Sequence, residues 1–301
     1  MRLIEGIIVP LLTPIDRKER PDLGQLRTLT EYVIAGGVAA IFANGTTGEF
    51  ARFTAGERQA VLDTIVKTAA ARVPVLAGVS DCGTRLVMEH IRAAEAAGAD
   101  AVVTTLPYYF PTSSPREQAD FIADAAGATR LPLLLYNLPA AVGRSIAYEA
   151  LDAVCAIDNL YGIKDTSGQT EYVDRLLQQY GSRLKIFVGD ERLTYYGLSH
   201  GAAGVVPSLA NPFPKVLAAA WQAAKAQDWE SCKRHCGVVD RMNILNGFCD
   251  SWMSPNIWRK VALAQLGVMD ETFTRPFQPV GEADRETIAQ YIRFYQEQYN
   301  T

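Results

Sequence analysis

Nowhere does the sequence hold a run of about eighteen consecutive apolar residues, so no segment reads as a membrane-spanning helix. No extended run of lysine and arginine occurs either. With a formal net charge of −4, that argues against nucleic acid or another polyanion as partner. The first ten residues lack the long apolar core and small-residue cleavage site of a secretory leader. Histidine is scarce: His90, His200 and His235 lie on separate segments, and no His-x-x-x-His or Cys-x-x-Cys pair occurs, so no metal is expected. The five cysteines (Cys82, Cys155, Cys232, Cys236, Cys249) are odd in number and scattered, which suits reduced thiols and a cytoplasmic protein. Cys232 and Cys236 stand one helical turn apart around His235, a spacing that buried structural cysteines explain better than a metal. No two glycines stand two residues apart, which removes the dinucleotide fingerprint, and no Gly-x-Ser-x-Gly elbow supports a serine hydrolase.

What is present is a repeated beat of short apolar runs and longer helical patterns in a chain of 301 residues, 49% hydrophobic. Strands are expected at 6–12, 38–43, 73–79, 100–105, 132–136, 160–164, 184–188 and 202–206, with helical spacing between them. Thr54 with Glu57 forms a capping box, Pro115 opens a helix at its first turn, and Ser145 is expected to cap the next one. The strand runs do not alternate, so both faces are buried, and the intervening helices imply parallel pairing with right-handed crossovers. The expected fold is α/β: a (β/α)8 TIM barrel over 1–211, followed by a C-terminal helical extension over 212–301 that packs beside it. No linker or low-complexity stretch separates the two parts, which are read as one functional domain.

Reactive groups in such barrels sit at the carboxyl ends of strands and in the loops that follow. That rule gathers Thr46 and Thr47 after the second strand, Tyr108 and Tyr109 after the fourth, and Tyr136 at the end of the fifth. Lys164 ends the sixth strand, Gly189-Asp190-Glu191 follows the seventh, and Ser208 and Asn211 follow the eighth. A lysine at the end of a buried run is costly as an ammonium, and the neutral amine is a nucleophile for carbonyls. The bland alternative is a lysine paired with its neighbour Asp165. In Gly45-Thr46-Thr47-Gly48-Glu49, hydroxyls and backbone N–H groups can surround an anion. The lysine of a nucleotide-binding loop is missing, so a carboxylate fits better than a triphosphate. Tyr136 can move a proton beside an amine nucleophile, or it can simply be a core aromatic.

Four stretches, Gly45-Thr46-Thr47-Gly48-Glu49, Tyr136-Asn137-Leu138-Pro139, Gly162-Ile163-Lys164-Asp165 and the Gly189-Asp190 turn, carry a family resemblance over essentially the whole chain. In order and spacing they resemble the dihydrodipicolinate synthase/N-acetylneuraminate lyase family of class I Schiff-base aldolases. The resemblance implies that Lys164 forms the Schiff base, that Tyr136 transfers protons with Thr46 as a relay, and that Thr47 and Gly48 help hold a 2-oxo acid carboxylate. It implies a Val206 carbonyl near the lysine, and a Tyr109 lent to a neighbouring subunit's site in a homo-oligomer, commonly a tetramer. Gly189, Asp190, Glu191 and Ser208 are placed to grip the substrate's tail. One departure stands out. The family's synthases carry an arginine two residues past the proline, and here that residue is Ala141, with Arg144 three positions on. A guanidinium fork has no neutral substitute.

The expected activity is therefore that of a metal-independent, cofactor-free lyase that traps a 2-oxo acid on Lys164 and cleaves a 2-keto-3-deoxy sugar acid of the gluconate type to pyruvate and an aldehyde. Synthesis of 4-hydroxy-tetrahydrodipicolinate from pyruvate and aspartate semialdehyde is the runner-up, ahead of Schiff-base dehydration or deamination. A non-catalytic 2-oxo acid sensor would not need Lys164, Tyr136 and the threonine pair together. A phosphate-binding barrel isomerase would need a glycine-rich anion site later than Gly201-Ala202-Ala203-Gly204.

Overall fold

The computed structural model describes residues 3–248 and 255–299; Cys249 lies outside them. Eight parallel strands close a barrel in chain order: β1 (Gly6–Pro10), β2 (Ala40–Ala43), β3 (Val75–Gly78), β4 (Ala101–Thr104), β5 (Leu133–Asn137), β6 (Leu160–Asp165), β7 (Lys185–Val188) and β8 (Gly204–Val205). The crossovers hold α1 (Leu23–Ala35), α2 (Ala55–Ala69), α3 (Thr84–Ala97), α4 (Pro115–Gly127), α5 (Pro139–Val142), α6 (Tyr148–Val154), α7 (Thr170–Tyr180) and α8 (Thr194–Ser199). After β8 come α9 (Pro214–Lys225), which packs against β1, and then the further helices α10 (Trp229–Met242), α11 (Pro255–Gln265) and α12 (Glu282–Tyr299).

Alternate strand residues serve two cores. Ile8, Phe42, Leu76, Val103, Leu134, Tyr136 and Phe187 fill the barrel, while Val9, Ile41, Val75, Val102, Leu135 and Ile186 meet the surrounding helices. Burial on both faces is why the strand sequences read as unbroken apolar runs. The seam between β1 and β8 depends on absent side chains. A Cβ on Gly204 would stand 2.1 Å from the Gly6 carbonyl oxygen, and Gly6 itself has φ +96°.

Two expectations change. The eighth strand shrinks to Gly204–Val205, with Val206 N still bonded to Val188 O at 2.8 Å. Ser145 caps nothing. Instead, Ile146 N donates to Asn137 Oδ1 (2.9 Å) and Ala147 N to Gln118 Oε1 (2.8 Å), which holds this stretch extended until α6 begins at Tyr148. The capping box is formed: Thr54 Oγ1 accepts from Glu57 N, and Glu57 Oε2 accepts from Thr54 N. Cys82, Cys155, Cys232 and Cys236 are free thiols, the last two buried. Among the described residues no helix is long and apolar enough to cross a membrane.

Candidate active site

Strand periodicity decides where Lys164 points. Lys164 lies in register with Tyr136 on β5 and Phe187 on β7, and turns into the barrel with them. Its neighbour Asp165 must then face outward. There the Asp165 carboxylate accepts from Asn137 Nδ2 (2.6 Å) and Ser167 Oγ (2.8 Å), and burial raises it above its ordinary pKa of 3.8. The bland pairing of lysine with aspartate does not occur. Lys164 is only 5% exposed, its Nζ lies 3.9 Å from the centre of the Tyr136 ring and 5.4 Å from that of Phe42, and among the described residues it has no ion-pair partner. Space beside it comes from Gly189, where a Cβ would stand 2.7 Å from Lys164 Cε and 2.2 Å from Thr166 Oγ1.

A cavity of about 350 Å³ opens above this amine at the carboxyl end of the barrel. Thr46, Thr47, Tyr136, Lys164, Gly189, Asp190, Glu191, Val206 and Ser208 all line it. Among the described residues, the hydroxyls of Thr46, Thr47 and Tyr136 have no hydrogen-bond partner and remain available to a ligand. Gly48 does not line the cavity. It packs below the loop, its carbonyl accepting from Thr13 Oγ1 at 2.8 Å. Tyr109 does not line it either. It is 75% exposed and stacks edge-on against Phe110, itself 74% exposed.

The residues expected to grip the tail have other partners. Asp190 binds Arg192 through Nε (3.0 Å) and a second nitrogen (2.6 Å) and caps the following turn. Glu191 is buried, accepting from Ser208 Oγ and Leu209 N at 2.7 Å each and from Arg259 at 3.0 Å. Asn211 is structural, bonding Leu12 N and the Pro10 carbonyl so that the loop after β8 is tied to β1. Arg144 and Ala141 do not line the cavity; Leu138 and Ala140 do.

Sequence reasoning missed Thr166, Ser167, Arg192, Asn243, Asn246, Asn256 and Arg259, all of which line the cavity. The first three adjoin positions the barrel rule selects. The other four come from the extension, where the one available signal was Arg259-Lys260 inside an otherwise buried helix. Two enclosed polar atoms on this wall, Thr166 Oγ1 and Asn243 Nδ2, have no hydrogen-bond partner among the described residues. Among the described residues no three His, Cys, Asp or Glu side chains are grouped as a metal site requires.

Residues 3–294 match the model of the dihydrodipicolinate synthetase family. The chain belongs to this family. It is 34% identical to the 4-hydroxy-tetrahydrodipicolinate synthase of Sorangium cellulosum over 96% of its own length and 95% of that protein's. The corresponding enzyme of Geobacter metallireducens is 30% identical over 98% and 99%. The dihydrodipicolinate synthase of Acinetobacter baumannii, solved with pyruvate, superposes with a TM-score of 0.89 at 30% identity, covering 97% of this chain and 99% of that one. Family and fold make the protein a class I Schiff-base lyase, whose covalent chemistry runs on a lysine amine without a metal.

Proposed function

We propose that Lys164 is the amine that carries this chemistry. Nζ adds to the ketone of pyruvate or a pyruvate-containing 2-oxo acid and water leaves, giving a protonated imine that acts as an electron sink. Loss of a proton from the adjacent methyl carbon gives an enamine, which attacks an aldehyde; the reverse sequence cleaves the same carbon–carbon bond. Tyr136, with Thr46 as relay, exchanges the proton of the alkoxide formed or consumed in that step. Thr47 and neighbouring backbone N–H groups take the carboxylate. The observation that carries this reading is a buried amine with no carboxylate partner among the described residues, stacked on the tyrosine ring at the floor of the cavity.

The relatives reverse the order of the two aldehyde partners considered from the sequence. The synthase activity of those relatives favours condensation of pyruvate with aspartate semialdehyde, so we place 4-hydroxy-tetrahydrodipicolinate synthesis first. Cleavage of a 2-keto-3-deoxy sugar acid stands second, on a specific observation. Ala141 replaces the synthases' arginine, Arg192 and Arg259 at the cavity bind Asp190 and Glu191, and the enclosed donors without a partner among the described residues include the neutral Thr166 and Asn243. Such a wall suits hydroxyl groups better than a second carboxylate. Barrel and extension act as one functional unit, since both line the cavity. The proposed setting is the cytoplasm, as a homo-oligomer that buries Tyr109 beside a neighbouring site.

Borohydride reduction in the presence of pyruvate, followed by peptide mass spectrometry, is expected to yield a single adduct on Lys164 and none in Lys164→Ala. Absence of the adduct in the native protein would remove the central assignment. Turnover of pyruvate with aspartate semialdehyde, set against turnover of 2-keto-3-deoxygluconate, then ranks the two readings by kcat/KM.

A further inference from the structure

Helix α11 reaches both sides of the cavity mouth within two turns. Asn256 Nδ2 donates to the Thr47 carbonyl at 3.2 Å, and Lys260 Nζ meets Glu49 Oε1 at 2.7 Å, both on the loop after β2. Arg259 instead crosses to the turn after β7, where one guanidinium nitrogen donates to Glu191 Oε2 at 3.0 Å and Oε1 at 3.2 Å. Arg259 and Lys260 are 2% and 1% exposed, and the two glutamates are buried as well. Glu49 sits in the left-handed region at φ +57°, also held by Thr274 Oγ1 at 2.5 Å and by Arg52 at 3.3 Å.

Buried ion pairs add little net stability over apolar packing of the same volume, so stability alone is a poor reason for two of them on one helix. Their electrostatic consequence is larger. Glu191 lines the cavity that is to receive a 2-oxo acid anion. A bare carboxylate there, in a medium of reduced dielectric, would repel that anion strongly.

We propose that Arg259 and Lys260 are positioning residues of the active site. By neutralising Glu191, Arg259 makes the mouth acceptable to an anionic substrate, and together with Lys260, bound to Glu49, it fixes the spacing between the carboxylate-binding loop and the β7 turn. The helical extension is thereby part of the catalytic apparatus. The inference rests on Lys164 being the imine-forming amine, and its test reads that point separately.

Adduct formation on Lys164 is titrated against pyruvate concentration by borohydride trapping in the native protein and in Arg259→Met, Glu191→Gln and the double variant. In Arg259→Met the half-saturating pyruvate concentration is expected to rise at least about tenfold with the plateau preserved, as an uncompensated charge near the anion requires. The double variant, in which Glu191 is neutral as well, should return to within about threefold of native, because no unneutralised carboxylate at position 191 then faces the anion. Glu191→Gln removes a negative charge from the cavity wall and should lower the half-saturating concentration, a reading that survives if Arg259→Met does not fold. An unchanged value in folded Arg259→Met, no recovery in the double variant, or an unchanged or raised value in Glu191→Gln overturns the proposal. No adduct in the native protein would instead overturn the reading of Lys164.

Discussion

At the scale of single residues, an alternation of two decides the chemistry. Lys164 and Asp165 are adjacent in the chain, yet one enters the barrel and the other faces the helices, which leaves the amine without a carboxylate partner among the described residues. Gly189 supplies the room that the amine occupies. Gly189→Ala is expected to fold but to slow adduct formation about 100-fold, roughly 3 kcal/mol of activation free energy, since its Cβ would displace Lys164 by contact. A native rate in that variant would show the space to be unimportant. His90 is a second residue with a measurable consequence. Burial and the nearby Arg58 guanidinium lower its pKa from 6.5, against an opposing bond to Asp81. A base whose folded pKa is depressed contributes stability above its unfolded value and loses it as pH falls toward the folded one. Urea unfolding at pH 7.5 and 5.5 should therefore show a loss on acidification that is smaller in His90→Gln, by at most about 1.4 kcal/mol per pH unit. An identical loss in both proteins would contradict this.

At the scale of elements, local rules succeeded where local bonds decide. The capping box at Thr54 is present with both reciprocal bonds, and Thr54→Ala should cost about 1 kcal/mol, read as a lower urea midpoint with unchanged slope. The rules failed at Ser145, because Asn137 and Gln118, distant in sequence, take the backbone N–H groups that a helix start would have used. Nothing in the residues near Ser145 reports those partners. The same distinction separates the two halves of the candidate site. Residues at strand ends could be placed by the barrel rule, whereas Asn243, Asn246, Asn256 and Arg259 come from beyond the last strand. Polar residues such as Asp190, Glu191 and Ser208 line the cavity, but their bonding could not be read from location.

At the scale of the whole molecule, two large aromatics lie outside any core. Tyr109 and Phe110 form an edge-on pair at 5.0 Å and are both about three-quarters exposed, a costly arrangement for a monomer in water. A second copy covering them is expected, and replacing both with serine should lower the sedimentation coefficient of the assembly. A native chain that sediments as a monomer would remove that expectation. The eightfold alternation, the burial of both strand faces and the position of Lys164 at a strand end were set by the order of apolar and polar residues. Periodicity and strand length are local properties that a sequence carries openly. Which carboxylates are spent on arginines, which hydroxyls stay free, and that a helix from the extension ties together the two sides of the mouth were decided only by tertiary contact. Lys164, an apparent anomaly at the end of an apolar run, owes its nucleophile's setting to both: the strand aims it, and residues more than a hundred positions apart in the chain build the cavity it faces.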